Sequence, residues 1–294
     1  MNGWRHDKKR LFSGLMTAAR LLPPYAEEAK SAPLVYRVTD RAGRGLYLLG
    51  TIHAGRPDMY PLGGAVEEAY RNAGILAVEL DLDARGRLPG ASLMYGPEDG
   101  IQNHLSPETC ALGVESFGVP EAALRRMKPA MWYSLAENQI ILKAGLDAAA
   151  GVDCRLMKQA RQDGKRIDEL ETVEGQLAAL LAIPEDVIDC EVRAMLTCPE
   201  ESAKGMRALF EAWRQGDKAA LLSLLEESED GGGDGLSDVL IDSRNDGFEE
   251  QALQYLHSGE TALIAVGAFH IIGKNGLAEK LARRGFTVEE IGRE

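Results

Sequence analysis

The same short motif occurs twice in this sequence, each time where a run of apolar residues leads to a histidine. One copy runs from Gly50 to His53 and the other from Gly267 to His270, in a chain with only five histidines. In open α/β sheets, ligands bind beyond the carboxyl ends of the strands. A glycine at that point lets the backbone turn sharply or approach a ligand closely. The repeat therefore predicts two strand ends that present His53 and His270 to one polar crevice.

A third apolar run ends in carboxylates instead of a histidine. It spans Ala77 to Asp81, so that Glu79 follows residues typical of a buried strand. Because a buried carboxylate must be paired or must bind a cation, Glu79 is favoured over Asp81 as a metal ligand or general base. Two imidazoles and one carboxylate suit a divalent transition metal with one position left open for water. In the alternative interpretation, the histidines are ordinary strand-end residues and Glu79 is a solvated carboxylate.

The order of apolar and helical patterns predicts an α/β fold. Residues 106–229 have helical periodicity, interrupted by one short strand. The strands should form a mixed central β-sheet from the N- and C-terminal parts of the chain, and the helices a large insert between them. The predicted strands cover residues 35–39, 46–52, 75–80, 165–170, 261–267 and 286–291.

The sequence also predicts how the chain divides into domains. Residues 1–34 are interpreted as a leader or amphipathic N-terminal segment, and residues 35–294 as a single α/β domain. The glycine-rich stretch 231–235 is the clearest flexible break, and we place it inside the helical insert because the chain must return to the sheet. A long loop is expected at residues 83–100, at the edge of the site.

Charge and hydropathy argue against several classes of protein. The net charge of -13 argues against binding of nucleic acid, whose phosphates need clustered Lys and Arg. The sequence has no run of 18 apolar residues, so no transmembrane helix is expected. An apolar run follows Lys8-Lys9-Arg10 as in a signal peptide, but Arg20 interrupts it. These features favour the cytoplasm and leave export, membrane association and a homo-oligomer open.

The motifs together resemble the TraB/PrgY/GumN family, which includes the Tiki metalloproteases. The resemblance runs from about residue 35 to the end, with the motifs in the family's order and spacing. The chain is also distantly similar to the erythromycin esterases and the ChaN haem-binding proteins. The matching segments are Leu48 to His53, Met59 to Leu62, Val78 to Asp81, Leu170 to Gln176, the pair Arg244-Asn245, and Val266 to Leu277.

This resemblance implies two classes of function. The likeness to Tiki implies a metal-dependent hydrolase acting on a peptide or a small amide or ester, with Mn, Co or Zn held by His53, Glu79 and His270. The likeness to the esterases implies a metal-free variant in which a histidine activates water directly. The likeness to PrgY implies a non-catalytic protein that sequesters a peptide pheromone, and the likeness to ChaN implies haem binding.

Three more residues are candidates through their place in these motifs. Arg244 and Asn245 are expected to bind substrate, with Arg244 as a two-pronged donor to a carbonyl or carboxylate group. The alternative for Arg244 is a solvated or salt-bridged helix residue. Glu171 is expected at the substrate site, or as the partner that orients a histidine. Its alternative role is a charge that interacts with the dipole of the following helix.

Overall fold

One six-stranded sheet forms the centre of the fold. The computed structural model describes residues 30–81, 90–228 and 236–292. Its strands are β1 Val35–Thr39, β2 Gly45–Thr51, β3 Ile75–Val78, β4 Arg166–Glu169, β5 Ala262–Gly267 and β6 Thr287–Glu290. They lie in the order β4-β3-β5-β2-β1-β6. Strands from both ends of the chain therefore share one sheet, which confirms the predicted α/β class.

The directions of the strands place three strand ends at one edge of the sheet. β1 is antiparallel to both β2 and β6, whereas β2, β5, β3 and β4 run parallel to one another. All of β3 and the first five residues of β5 are buried, which accounts for their continuous apolar sequences. The carboxyl ends of β2, β3 and β5 consequently meet at the edge where both histidine motifs and Glu79 follow.

Helices make up most of the remaining structure. Within the described residues 106–228, β4 is the one named strand, so the predicted helical insert is confirmed. A π-helix at Asp238–Asp242 leads directly into the helix that carries Arg244. The α-helices are α1 Gly64–Asn72, α2 Pro107–Ser116, α3 Glu121–Leu124, α4 Pro129–Lys143, α5 Val152–Gln162, α6 Val173–Ala182, α7 Glu185–Thr197, α8 Pro199–Gln215, α9 Lys218–Ser228, α10 Ser243–Ser258, α11 Ala268–Ile271 and α12 Leu277–Arg283.

The helical insert has a hydrophobic core of its own beside the core that surrounds the sheet. This second core includes Leu124, Trp132 and Val192, from α3, α4 and α7. Trp132 is fully buried, and its indole Nε1 donates a hydrogen bond to the Leu124 carbonyl oxygen at 3.1 Å. The indole therefore ties α4 to the end of α3, and α7 packs against α4.

The ends of several helices follow the sequence closely. Ser106 and Thr172 cap α2 and α6, each accepting a hydrogen bond from the backbone amide three residues later. The sequence around residue 153 predicts Asp153 as the N-cap of the next helix, and this prediction is wrong. Gly151 is the N-cap of α5, and Asp153 lies in its first turn. The side chain of Asp153 is therefore available to the strand-end site.

Some sequence predictions fall outside the described residues. The leader at residues 8–22, the glycine-rich stretch 231–235 and most of the first half of the 83–100 loop are among them. Within the part of the chain that the structure does describe, no helix is both long and apolar enough to cross a membrane.

Candidate functional site

The two histidine motifs end on neighbouring parallel strands. Thr51 pairs with Gly267 at the carboxyl ends of β2 and β5. A Cβ atom on Gly267 would lie 3.6 Å from His53 Nε2 and 3.6 Å from His270 Cδ2, so this glycine sits between the two rings. The predicted meeting of His53 and His270 at one edge of the sheet is present in the structure.

His53 is held by a carboxylate that the sequence motifs did not reveal. Its Nδ1 lies 2.8 Å from Asp153 Oδ2, and the other oxygen of Asp153 accepts a hydrogen bond from Thr51 Oγ1 at 2.8 Å. A carboxylate only accepts hydrogen bonds, so Nδ1 of His53 carries the hydrogen and Nε2 of the neutral ring has a lone pair. Asp153 is buried, whereas the His53 side chain is 54% exposed. The ring is thus oriented from behind and open to solvent in front.

His270 is oriented from behind in the same manner, but it is buried. Its Nδ1 lies 2.7 Å from Asn245 Oδ1, and Asn245 Nδ2 donates to the Asn275 carbonyl oxygen at 2.9 Å. Since Asn245 uses its NH₂ group elsewhere, its oxygen accepts from His270 Nδ1, leaving a lone pair on Nε2. Burial lowers the pKa of His270 to about 4, with Arg244 and His53 adding to the effect and Glu79 opposing it. His270 is therefore neutral at pH 7.

Glu79 lies between the two rings. Its Oε1 is 3.8 Å from His53 Nε2 and 3.9 Å from His270 Nε2, and it accepts a hydrogen bond from the Gly267 amide at 2.8 Å. Its Oε2 accepts from Arg244 Nη2 at 2.7 Å. Burial alone would raise the pKa of Glu79, but the positive charges of its neighbours and the Gly267 hydrogen bond hold it well below its usual range. Because His270 is neutral at pH 7, it places no positive charge beside Glu79 at that pH. Arg244 is always charged and therefore lowers the pKa of Glu79 at every pH of interest.

Arg244 joins the buried Glu79 to a second, partly buried carboxylate. Its guanidinium forms an ion pair with Glu171, and its Nη1 donates to the Leu240 carbonyl oxygen at 2.8 Å. The same Nη1 lies 3.3 Å from His270 Nε2. Burial raises the pKa of Glu171, while its hydrogen bond and ion pair with Arg244 act in the opposite direction. Arg244 is thus salt-bridged on both sides, and Glu171 contacts this arginine instead of a histidine.

All six residues that the sequence singled out lie in this one network. Asn245 is fully buried behind His270, and both ends of its amide are engaged by protein groups. The geometry therefore favours a positioning role for Asn245 over the direct substrate contact expected from the sequence. Asp81, which the sequence ranked below Glu79, forms an ion pair with Arg161 on α5. The ion pair with Arg161 directs the Asp81 carboxylate away from the two histidines.

The pattern of motifs and this geometry agree with a comparison against known families. The model of the TraB/PrgY/gumN family matches residues 34–290 of the chain. The chain belongs to this family. It is 27% identical over 256 residues to "Uncharacterized protein YbaP" of Escherichia coli (strain K12), and equally to the protein of that name from Shigella flexneri. Each alignment covers 83% of this chain and 90% of the relative. No solved structure matches the chain.

The chemistry of the donor atoms at this site of the TraB/PrgY/gumN protein, two imidazole nitrogens and a carboxylate, suits a divalent transition metal. Both imidazoles have Nε2 lone pairs on the side of Glu79, and each Nδ1 is tied to an oxygen behind it, as is usual for histidines that bind metals. In the described part of the chain, however, no group of three or more His, Cys, Asp or Glu side chains is arranged to hold an ion as it stands. Metal binding therefore requires His53, His270 and Glu79 to rearrange.

The Asp153 contact leads to a first prediction. Asp153→Asn should weaken metal binding by about 10- to 100-fold, because the amide supports the His53 tautomer less well than a carboxylate does. Titration of the metal-free protein with Mn²⁺ measures this affinity. Asp147→Asn is the matched control, since Asp147 lies in the same region and, among the residues that the structure describes, its side chain accepts only a local hydrogen bond from the Ala149 amide. Equal affinities in the two variants would contradict the role of Asp153.

Proposed function

We propose that this protein is a metal-dependent hydrolase that cleaves peptide or small amide bonds. The observation that carries the proposal is the convergence of His53 Nε2, His270 Nε2 and Glu79 Oε1, with both rings fixed from behind. His53, His270 and Glu79 would hold the metal. When bound, the metal would supply Lewis-acid activation of water and of the scissile carbonyl group. The resemblance of the motifs to those of the Tiki metalloproteases supports this class of reaction.

The side chains of Glu79, His53 and His270 have different roles in the proposed reaction. Glu79 is ionised at neutral pH, which is the charge state that a metal ligand and a general base both require. His53 is the exposed member of the pair and meets the substrate first, whereas buried His270 stays neutral and fixed. The contrast between an open and a buried histidine gives the site a solvent-facing side on which a peptide can approach.

Arg244 has a different role in this proposal from the one expected from the sequence. Its guanidinium hydrogens are engaged by Glu79, Glu171 and the Leu240 carbonyl oxygen. We therefore assign Arg244 the task of keeping Glu79 ionised and in place, rather than that of clamping a substrate carbonyl. Glu171 holds Arg244 from the other side. Asn245 fixes the ring of His270, so all three act as positioning residues.

Metal analysis of purified variants is the test of this proposal. The protein is loaded separately with Mn²⁺, Co²⁺ and Zn²⁺, freed of excess metal, analysed for bound metal and assayed on a peptide library. We expect about one ion per chain in the wild type, as in other single-metal hydrolase sites, and loss of most metal and turnover in His53→Ala and His270→Ala. His257→Ala is the control, because His257 is exposed on α10.

The other outcomes identify the alternative functions. Metal content that stays unchanged in both His53→Ala and His270→Ala contradicts the ligand assignment. Hydrolysis that resists chelators and is lost in these variants indicates direct activation of water by a histidine. Stoichiometric peptide binding without turnover indicates a sequestering protein, and a Soret band after addition of haem indicates haem binding.

A further inference from the structure

A cleft between α1 and α5 is separate from the strand-end site. Its volume is about 530 Å³, which is in the range typical of small-molecule sites. Within the described part of the chain, no residue of the strand-end network lines it. Its apolar walls come from both helices and from the segment before α1, and they consist of Leu62, Val66, Tyr70 and Leu156.

Charged side chains of both signs also line the cleft, and the cations are in excess. Arg71, Arg155 and Lys165 face two carboxylates, Glu67 and Asp163. Glu67 and Arg71 are four residues apart on α1, a spacing at which opposite charges attract each other. Burial lowers the pKa of Lys165, and the nearby Asp163 opposes this effect. These two pairings leave the positive charge of Arg155 without a counter-charge from the cleft.

Two of these charged groups are already engaged by the protein. The Nζ atom of Lys165 donates to the Tyr70 carbonyl oxygen at 2.9 Å and to the Ala73 carbonyl oxygen, at the end of α1. The Tyr70 hydroxyl donates to Asp163 Oδ2 at 2.8 Å. Both groups therefore close one end of the cleft and are poorly placed to bind a ligand.

The guanidinium of Arg155, in contrast, has no hydrogen-bond or ion-pair partner among the residues that the structure describes. Its central carbon lies 4.4 Å from the centroid of the Tyr60 ring, and the side chain is half-buried. The Tyr60 hydroxyl is itself anchored, because it donates to the Ala150 carbonyl oxygen at 3.0 Å. The ring thus supports one face of the guanidinium and leaves its N–H donors available to a ligand.

An anion with an apolar part matches both features of the cleft. A guanidinium presents two parallel N–H groups to a carboxylate, and donors withdrawn from water without a partner cost free energy that such a ligand offsets. Glu67 and Asp163 repel an anion with two or more charges, so a carboxylate fits better than a phosphate group. The apolar walls leave room for an aliphatic or aromatic group.

We propose that the cleft between α1 and α5 binds a monocarboxylate with an apolar chain, and that Arg155 is the partner of the carboxylate group. A fatty acid and the C-terminal residue of a peptide share this chemistry. The site goes beyond the proposed hydrolysis. Asp153 and Arg155 are two residues apart and lie on nearly opposite faces of α5, so one orients His53 while the other lines the cleft.

Calorimetric titration of the full chain tests this site. The protein is first treated with a chelator, so that no metal offers the carboxylate a second place to bind. It is then titrated with octanoate, octanol and N-acetyl-leucyl-leucine. We expect one or both acids to bind saturably and at least ~10-fold more tightly than octanol, the scale of a charge-assisted hydrogen bond. The acid that binds more tightly identifies the source of the ligand.

Three variants locate the bound carboxylate. Arg155→Met removes the charge but keeps a flexible apolar side chain against Tyr60, and it should weaken the binding of octanoate by at least ~10-fold. Arg41→Met, at an exposed position in the turn between β1 and β2, is the matched control and should bind as the wild type does. Glu67→Gln removes a carboxylate from the cleft and should strengthen binding by about 2-fold.

Several results would overturn the site. One is equal affinity of the wild type for octanoate and octanol, and another is unchanged affinity for octanoate in Arg155→Met. Absence of saturable binding of either acid up to ~1 mM also overturns it. Loss of octanoate binding in His53→Ala and His270→Ala would place the carboxylate at the strand-end site instead. None of these measurements depends on turnover, so failure of the cleft and failure of the proposed hydrolase are distinguishable.

Discussion

Glu79→Gln is expected to lower turnover by at least ~100-fold, the usual scale for loss of a general base, and to reduce metal binding. The glutamine keeps the shape of the side chain, but a neutral amide neither accepts a proton from water nor serves as a good metal ligand. We expect the fold to survive, because Glu171 still balances the charge of Arg244. The measurements are metal content, hydrolysis of the peptide library and the unfolding temperature of the variant.

Asp81→Asn is the control for this substitution. Asp81 belongs to the same segment, two residues further on, but its carboxylate is paired with Arg161 and is 26% exposed. Sequence alone left room for a moderate loss of activity at this position. Because Asp81 is engaged by Arg161, we expect metal content and turnover of Asp81→Asn within a factor of ~2 of the wild type. Loss of the ion pair itself should matter little, since exposed ion pairs contribute little to stability. Full activity in Glu79→Gln, or an equal loss in both variants, would contradict the assignment of Glu79.

Local sequence patterns were sufficient to locate the strand ends. Continuous apolar runs identify buried strands, and parallel strands bring their carboxyl ends to the same edge, so His53, Glu79 and His270 follow from pattern and topology together. The choice of Glu79 over Asp81 came from the same logic. Glu79 is buried in the network, whereas Asp81 is turned to a surface arginine.

The groups that orient the histidines could not be read in the same way. Asp153 lies 100 residues from His53, and a carboxylate near a helix start is indistinguishable by sequence from a capping residue. Asn245 stands out in the sequence only as part of a motif, and its contact with His270 depends on how α10 packs against the sheet. Such roles depend on tertiary contacts between distant residues, which local patterns do not encode.

Arg244→Met is expected to lower the free energy of unfolding by about 3 kcal/mol at pH 7, the scale for breaking a buried ion pair from one side. Glu79 and Glu171 would both remain buried without the guanidinium that compensates them. Arg161→Met is the matched control, because the same substitution there breaks a partly exposed pair with Asp81 and should cost no more than ~1 kcal/mol. Denaturant unfolding of the two variants measures the difference.

The dependence on pH has a definite sign. In the wild type the folded-state pKa of Glu79 is depressed, so this residue contributes stability above its ordinary pKa, and the contribution is lost as the pH falls below that value. Without Arg244, burial raises the pKa of Glu79 and raises that of Glu171 further. The folded variant then takes up protons more readily than the unfolded chain. Its deficit in stability should therefore be largest at pH 7 and smaller at pH 5.

Divalent metal gives the same variant a second, independent readout. Arg244 Nη1 lies 3.3 Å from His270 Nε2, and its Nη2 lies 2.7 Å from Glu79 Oε2, so the guanidinium repels a cation bound between these residues. Arg244→Met should therefore bind Mn²⁺ at least ~10-fold more tightly than the wild type, and added Mn²⁺ should restore part of the lost stability. Turnover should nevertheless fall, because Glu79 is no longer held in position. Weaker Mn²⁺ binding in Arg244→Met would show that the arginine helps to build the metal site instead of competing with the ion.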